Sequence, residues 1–200
     1  MRLYYAPAAC SLSVHIALRE AGVPFELEKV DLHTKRTARG RDYREINPKG
    51  AVPALELDSA DVLTETAACL QYVADMAPGT HLAPLAGTLP RYRLMEWLNF
   101  ISSELHKSFG PLFHEPTAER RKEQIDLLSA RFAYLAPRLA GSDYLMGAHF
   151  TVADAYLYAV LNWTHFLEVD IAPWPALGDF VARVARRGTV QEARRAEHLR

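Results

Sequence analysis

The sequence predicts two architectures in one chain: an α/β region over residues 1–80, and an all-helical region over residues 91–200, joined by a linker at residues 81–90. Three observations predict this. Strand-like and helix-like segments alternate through the first region. The stretch from Pro84 to Pro90 then breaks the pattern with two prolines and Gly87. Beyond it no segment has the two-residue alternation of a strand.

Taken in order, Arg2-Leu3-Tyr4-Tyr5 is a short β-prone run stopped by Pro7. From Ser11 the apolar positions Leu12 and Ile16 recur at helical spacing, and Gly22 with Pro24 supplies the stop. Phe25 to Val30 alternates as a half-buried strand would. The polar stretch from Thr34 to Arg44 leaves room for a short helix before the turn Asn47-Pro48-Lys49-Gly50. Ala54 to Leu57 and Asp61 to Thr64 read as two strands, followed by a helix from Glu65 to about Ala77. In the second region one helical pattern runs from Arg91 to about Phe109. Another runs from about Thr117 to Leu139, with Ile125, Leu128, Phe132, Leu135 and Leu139 on one stripe. Val152 to Leu167 is apolar nearly all round, the mark of a helix in the middle of a bundle. Pro173-Trp174-Pro175 opens a last amphipathic helix, and the tail after Gly188 reads as polar.

Composition narrows the function. Lys+Arg 23 against Asp+Glu 24 leaves a net charge of −1, without the basic excess of a nucleic-acid binder or the basic stripe of an anionic-membrane binder. No apolar run approaches the ~18 residues of a membrane span. Two cysteines, Cys10 and Cys69, are too few for a disulfide framework, and the histidines show no zinc-ligand spacing, so no metal is expected. These features predict a soluble protein of a reducing compartment, the cytoplasm.

Four places could carry chemistry. Cys10 stands at the mouth of the first helix, where the dipole and free N–H groups favour a thiolate; the alternative is a small buried thiol. Cys69, mid-helix among apolar residues, reads as core. Val52-Pro53 opens a strand; a cis proline there would turn the Val52 backbone outward to pair with a peptide, and an ordinary strand-starting proline would not. Glu65-Thr66 begins a helix and suits either plain capping or the carboxylate and amine of a ligand. Asn99, Ser103 and His106 fall within roughly 60° on an α-helical wheel, while Glu104 points about 140° away from Asn99. Thr151-Val-Ala-Asp154, with Phe150 before it, has the form of a capping box with a hydrophobic staple and is assigned to folding.

Together these segments resemble the glutathione transferases, most closely the bacterial beta class, over essentially the whole chain. The resemblance rests on Tyr-x-x-x-x-Cys10-Ser-Leu, on Asn47-Pro-Lys-Gly-x-Val-Pro53-Ala-Leu and on Thr64-Glu65. It continues through Glu96-Trp-Leu-Asn99, Ser103-Glu-Leu-His106-Lys107 and Phe150-Thr-x-Ala-Asp154-Ala-Tyr. It implies a thioredoxin-like N-terminal domain, a helical C-terminal domain, a homodimer, and glutathione bound as co-substrate between the domains. By that resemblance Cys10 lies beside the glutathione sulfur with Ser11 and His106, and Val52 before a cis Pro53 pairs with the tripeptide backbone. Lys35 reaches a carboxylate, Glu65 and Thr66 hold the γ-glutamyl end, and Asn99 and Ser103 enter from the helical domain. Glu104 serves the partner subunit's site, and Phe109, Phe113 and Trp163 form the apolar pocket for the acceptor.

The implied activity is conjugation of glutathione to hydrophobic electrophiles, with thiol–disulfide exchange at Cys10 as a second chemistry. Two alternatives stand beside it: a mainly redox, glutaredoxin-like thiol transferase or peroxidase, and a non-catalytic glutathione-binding stress protein.

Overall fold

The computed structural model describes residues 1–199. Its first part is a five-stranded mixed sheet in the order β3-β2-β1-β4-β5. The strands are β1 (Arg2–Tyr5), β2 (Glu26–Asp31), β3 (Arg36–Thr37), β4 (Ala54–Glu56) and β5 (Val62–Thr64). β1 lies at the centre, parallel to β2 and antiparallel to β4, so that Leu3 sits level with both Leu27 and Leu55. Both faces of β1 are covered. Leu3 and Tyr5 point into the main core beneath the helices, and Tyr4 points the other way, against Tyr43, Val30 and Ala54. This is the thioredoxin-like mixed sheet, with helices α1 (Ser11–Ala21) and α2 (Thr66–Met76) packed on it. Gly22 closes α1 in the left-handed region, φ 66°, donating its N–H to the Arg19 carbonyl.

The helical part comprises α3 (Leu89–Phe100), α4 (Lys107–Phe109), α5 (Ala118–Ala140), α6 (Val152–Leu161), α7 (Trp163–Phe166), α8 (Pro175–Ala185) and α9 (Gly188–Ala196). Every residue of α6 is buried, as its all-round apolarity predicts. Thr151 and Asp154 form the predicted capping box: one Asp154 oxygen accepts from the Thr151 N–H and hydroxyl, both at 2.8 Å. Its other oxygen takes the Leu145 N–H at 2.8 Å, so the cap also pins the preceding loop. Burial of Asp154 pushes its pKa up to about 6, with the Leu145 and Thr151 donors pulling against it.

The structure corrects three expectations. Between β2 and β4 there is no α-helix but the two-residue β3 and a 3₁₀ turn at Tyr43–Glu45, too short for an amphipathic period to show. The predicted helix from Val152 to Leu167 is broken at Asn162 into α6 and α7. The polar tail after Gly188 is a helix, α9, held against the body by ion pairs beside a small apolar contact. Arg187 grips Glu20 with two nitrogens at 2.7 and 2.8 Å, and Arg19 meets Glu192 at 3.1 Å. Val190 and Ala193 are its buried contacts.

Candidate functional site

The loop between β1 and α1, the β3–β4 connection and the start of α2 face helices α4, α6 and α7 across a cleft of about 810 Å³. One wall is polar, with Cys10, Lys35, Lys49, Val52, Pro53, Glu65 and Thr66. The other carries His106, Tyr156, Phe113, Trp163 and Phe166. The Val52–Pro53 bond is cis. Ala8, Lys35 and Glu65 all adopt left-handed φ, at 59°, 56° and 69°, uncommon values for side-chain-bearing residues that gather here along one cleft.

Cys10 is the N-cap residue of α1 and is 6% exposed. Its thiol donates to the Val52 carbonyl at 3.2 Å. The sequence predicts a lowered thiol pKa at this helix mouth; the structure corrects that. Burial pushes Cys10 up to about 11, outweighing the Thr66 hydroxyl and the backbone amides of Cys10 and Ser11, which favour the thiolate. Ser11 turns away from the cleft. It is fully buried, and its hydroxyl donates to the Ala6 carbonyl and accepts the Ala6 N–H, both at 3.2 Å. Its side chain braces the loop, and only its backbone amide acts on the thiol.

Lys35 reaches across to the Gly50 carbonyl at 2.9 Å. Glu65 precedes α2 and is paired with Lys49, which also donates to the Thr64 hydroxyl at 2.8 Å. Thr66 follows at the first turn of α2, buried. These four residues bring two ammonium groups, a carboxylate and a hydroxyl to one end of the cleft.

On the helical side the chain winds as a π-helix over Ile101–His106. Its i→i+5 ladder takes up extra chain per turn, so the α-helical wheel does not hold here. His106 and Ser102 face the cleft, whereas Asn99 and Ser103 are exposed on another side, where the Ser103 hydroxyl donates to the Asn99 carbonyl at 2.9 Å. Glu104 also lies off the cleft, in an ion pair with Arg131 at 2.7 Å. Burial, helped by Lys107 and opposed by Glu65, lowers His106 to a pKa of about 4, so the ring is neutral near pH 7.

Trp163 is the hub of the apolar wall. Its indole N–H donates to the Ala8 carbonyl at 2.7 Å, and its ring meets His106, Phe109 and Phe113 edge-on at 4.8, 5.7 and 5.3 Å. Phe113, 48% exposed, lines the cleft, whereas Phe109 is fully buried behind Trp163 and supports the wall without forming it. Among the described residues, no group of three or more His, Cys, Asp or Glu is placed to hold a metal ion.

Residues 9–76 match the family model described as Glutathione S-transferase, N-terminal domain, and residues 100–188 match the one described as Glutathione S-transferase, C-terminal domain. Glutathione S-transferase GstA of Escherichia coli O157:H7 is 43% identical, with 100% of both chains covered. The chain belongs to the glutathione S-transferase family. Within that family, a sphingomonad glutathione S-transferase solved in complex with glutathione is 46% identical, with TM-score 0.95 and 100% of both chains covered. The bacterial beta class glutathione S-transferase of Sphingomonas chungbukensis is 42% identical, with TM-score 0.96 and the same coverage. The beta-class resemblance read from the motifs therefore stands on the whole fold.

Sequence reasoning missed Tyr156, Ser102, Lys49 and Phe166 in this glutathione S-transferase cleft. For Tyr156 a signal existed. A tyrosine on a helix that is apolar on every face must send its hydroxyl to some polar partner, and that partner is a functional candidate.

Proposed function

We propose that the chain is a glutathione transferase that joins the sulfur of reduced glutathione to hydrophobic electrophiles. The observation that carries this is the pairing, in one cleft, of a thiol-centred polar wall with the Phe113–Trp163–Phe166 apolar wall. On this reading residues 1–80 form the glutathione-binding domain and 81–90 the linker. Residues 91–200 carry the acceptor side, Arg200 lying outside the described residues.

Glutathione's own thiol, like a free cysteine, has a pKa near ~8.5 and is mostly protonated at neutral pH. The donors that favour a thiolate at Cys10, namely the Thr66 hydroxyl and the amides at the head of α1, sit where the ligand's sulfur would rest beside Cys10. They would stabilise the anionic sulfur, which attacks an electrophilic carbon held on the aromatic wall a few ångströms away. Val52 would pair with the tripeptide backbone, Lys35 would take a carboxylate, and Glu65 with Thr66 would take the γ-glutamyl end. Glutathione titration by calorimetry, beside a conjugation assay with a chloronitrobenzene acceptor, tests the reading. Binding with turnover is expected; binding without turnover would identify a non-catalytic glutathione-binding protein, and the absence of both would overturn the glutathione reading itself.

A second reading, thiol–disulfide exchange, is favoured by the position of Cys10 in the cleft wall. The Cys10 sulfur would displace reduced glutathione from glutathione disulfide and keep the other half as a mixed disulfide, seen as one added glutathionyl group by mass spectrometry. Burial holds Cys10 protonated, which slows its attack on a disulfide.

The same reading includes a homodimer in the cytoplasm, where the free thiols Cys10 and Cys69 would stay reduced. Asn99, Ser103 and Glu104 lie off their own cleft, and helices α3 and α5 also expose the apolar side chains Leu89, Tyr92 and Tyr134. A second copy would cover that surface and receive these polar groups. Glu104→Gln should weaken glutathione binding while a dimer persists in light scattering; a fully active monomer would refute the arrangement.

A further inference from the structure

We infer that Tyr156 is a positioning residue for the glutathione sulfur: its hydroxyl donates to Nδ1 of His106 and so holds that imidazole with its proton on Nε2, as a neutral donor for the thiolate. The inference rests on the glutathione-transferase reading above and concerns a residue that reading does not use.

The geometry is specific. The Tyr156 oxygen lies 2.8 Å from His106 Nδ1, and the two rings meet edge-on at 6.0 Å and 88°. Trp163 packs against the imidazole at 4.8 Å and 70°. The imidazole is thus clamped between two aromatic rings. Tyr156 is 1% exposed on the wholly buried helix α6, so the clamp is built on a rigid element. The direction of the hydrogen bond follows from acidity. A phenol is the better donor and an imidazole nitrogen the better acceptor, so the proton between them belongs to the tyrosine oxygen. That leaves the neutral ring's own proton on Nε2, since the hydrogen bond made by one ring nitrogen fixes the state of the other.

The surroundings agree. Cys10 and Glu65 raise the cost of a tyrosinate, the hydroxyls of Ser102 and Thr66 approach the Tyr156 oxygen, and burial keeps the phenol protonated. His106 is kept neutral by burial and by Lys107, against Glu65. The Thr66 hydroxyl serves Cys10 as well as Tyr156, which ties thiol, hydroxyl, phenol and imidazole into one chain of contacts. An imidazole of the opposite tautomer would present a lone pair on Nε2, which repels an anionic sulfur; a Tyr156 hydroxyl donating to Nδ1 disfavours it. No proton need leave the ring for this role.

The test has two arms. In the wild-type protein with glutathione bound, the ¹⁵N chemical shifts of His106 should report the Nε2–H tautomer; the Nδ1–H tautomer would overturn the inference without any variant. In Tyr156→Phe, kcat/KM for chloronitrobenzene conjugation should fall about tenfold, the worth of one ordinary hydrogen bond. The acid limb of the rate profile and the ultraviolet titration of the bound thiol should both move up by about one pH unit. The dissociation constant for glutathione should change less than twofold. A packing role alone would lower the melting temperature and leave the thiol titration in place, and that outcome also overturns the inference. Absence of glutathione binding by the wild-type chain would instead overturn the transferase reading, and this inference with it.

Discussion

The Cys10 thiol donates to the carbonyl of Val52, 3.2 Å away, across the space between the head of α1 and the cis Val52–Pro53 bond. A thiol engaged as a donor and shielded from water is a protonated thiol. Helix position alone would make it reactive, and burial decides otherwise.

The first prediction concerns that thiol. Alkylation of Cys10 by iodoacetamide in the ligand-free protein should rise with pH toward an inflection near 11, not at the free-cysteine value. Peptide mass spectrometry of samples quenched along a pH series reads it directly. An inflection at or below the free-cysteine value would show that the helix N-terminus prevails over burial.

Asp154 should matter to folding before it matters to turnover. Asp154→Ala orphans the Leu145 N–H, the Thr151 N–H and the Thr151 hydroxyl in a buried place, at a cost of at least about 2 kcal/mol. Asp154→Asn, which keeps an acceptor oxygen, should recover part of it. Urea unfolding measures both, and normal stability with collapsed turnover would move Asp154 into the chemistry.

His106 makes stability depend on pH in a defined sense. Its folded pKa of about 4 lies below the ordinary 6.5, so between those values the unfolded chain binds the extra proton. Its contribution is complete above pH 6.5 and is lost on acidification toward 4. Asp154, raised to about 6, acts in the opposite sense, but it is common to wild type and variant and cancels in their difference. Wild type minus His106→Asn, measured by denaturant unfolding, should therefore shrink from pH 7 to pH 4; a flat difference contradicts it.

The fourth prediction concerns the joint between α9 and α1. Arg19 donates to His15 Nε2 at 2.9 Å, which leaves His15 Nδ1 to donate to Glu197 at 2.9 Å, and the other Glu197 oxygen takes the Ala8 N–H at 3.1 Å. Both members of the His15–Glu197 pair are buried. Glu197→Ala should cost about 2–3 kcal/mol, or roughly 4–12 °C in melting temperature for a chain of this length. Glu197→Gln, which keeps one of the two acceptor oxygens, should cost less. Calorimetry that finds the two variants equal would show that these hydrogen bonds are not what holds α9.

Much of this molecule was legible in its residues, and the exceptions share causes. Periodicity exposes α1, α5 and α6 because each has a regular apolar stripe or an apolar surface, and stop signals such as Gly22 sit where the chain turns. It conceals α9, whose attachment lies in Arg187, Glu192 and Glu197 meeting residues far away in sequence. At the site, Cys10, Thr66, Glu65, Val52 and His106 line one cleft. Asn99 and Ser103 do not, because a wheel drawn at ~100° per residue cannot anticipate a π-helical turn. Ser11 and Phe109 are misplaced for another reason: residue type shows that a side chain is polar or apolar, and only packing shows which way it faces.

The Ala8 hinge of the thiol-bearing loop is gripped from two distant parts of the chain, by Trp163 through its carbonyl and by Glu197 through its N–H, 155 and 189 positions away. The loop that carries Cys10 is thus made before either of these anchors and is locked only once both have followed. During synthesis the sheet and α1 can assemble while this corner still lacks both of the anchors that hold Ala8. Shaping of this corner of the cleft is therefore coupled to arrival of the helical half, so a half-made chain acquires a sheet before it acquires the cleft.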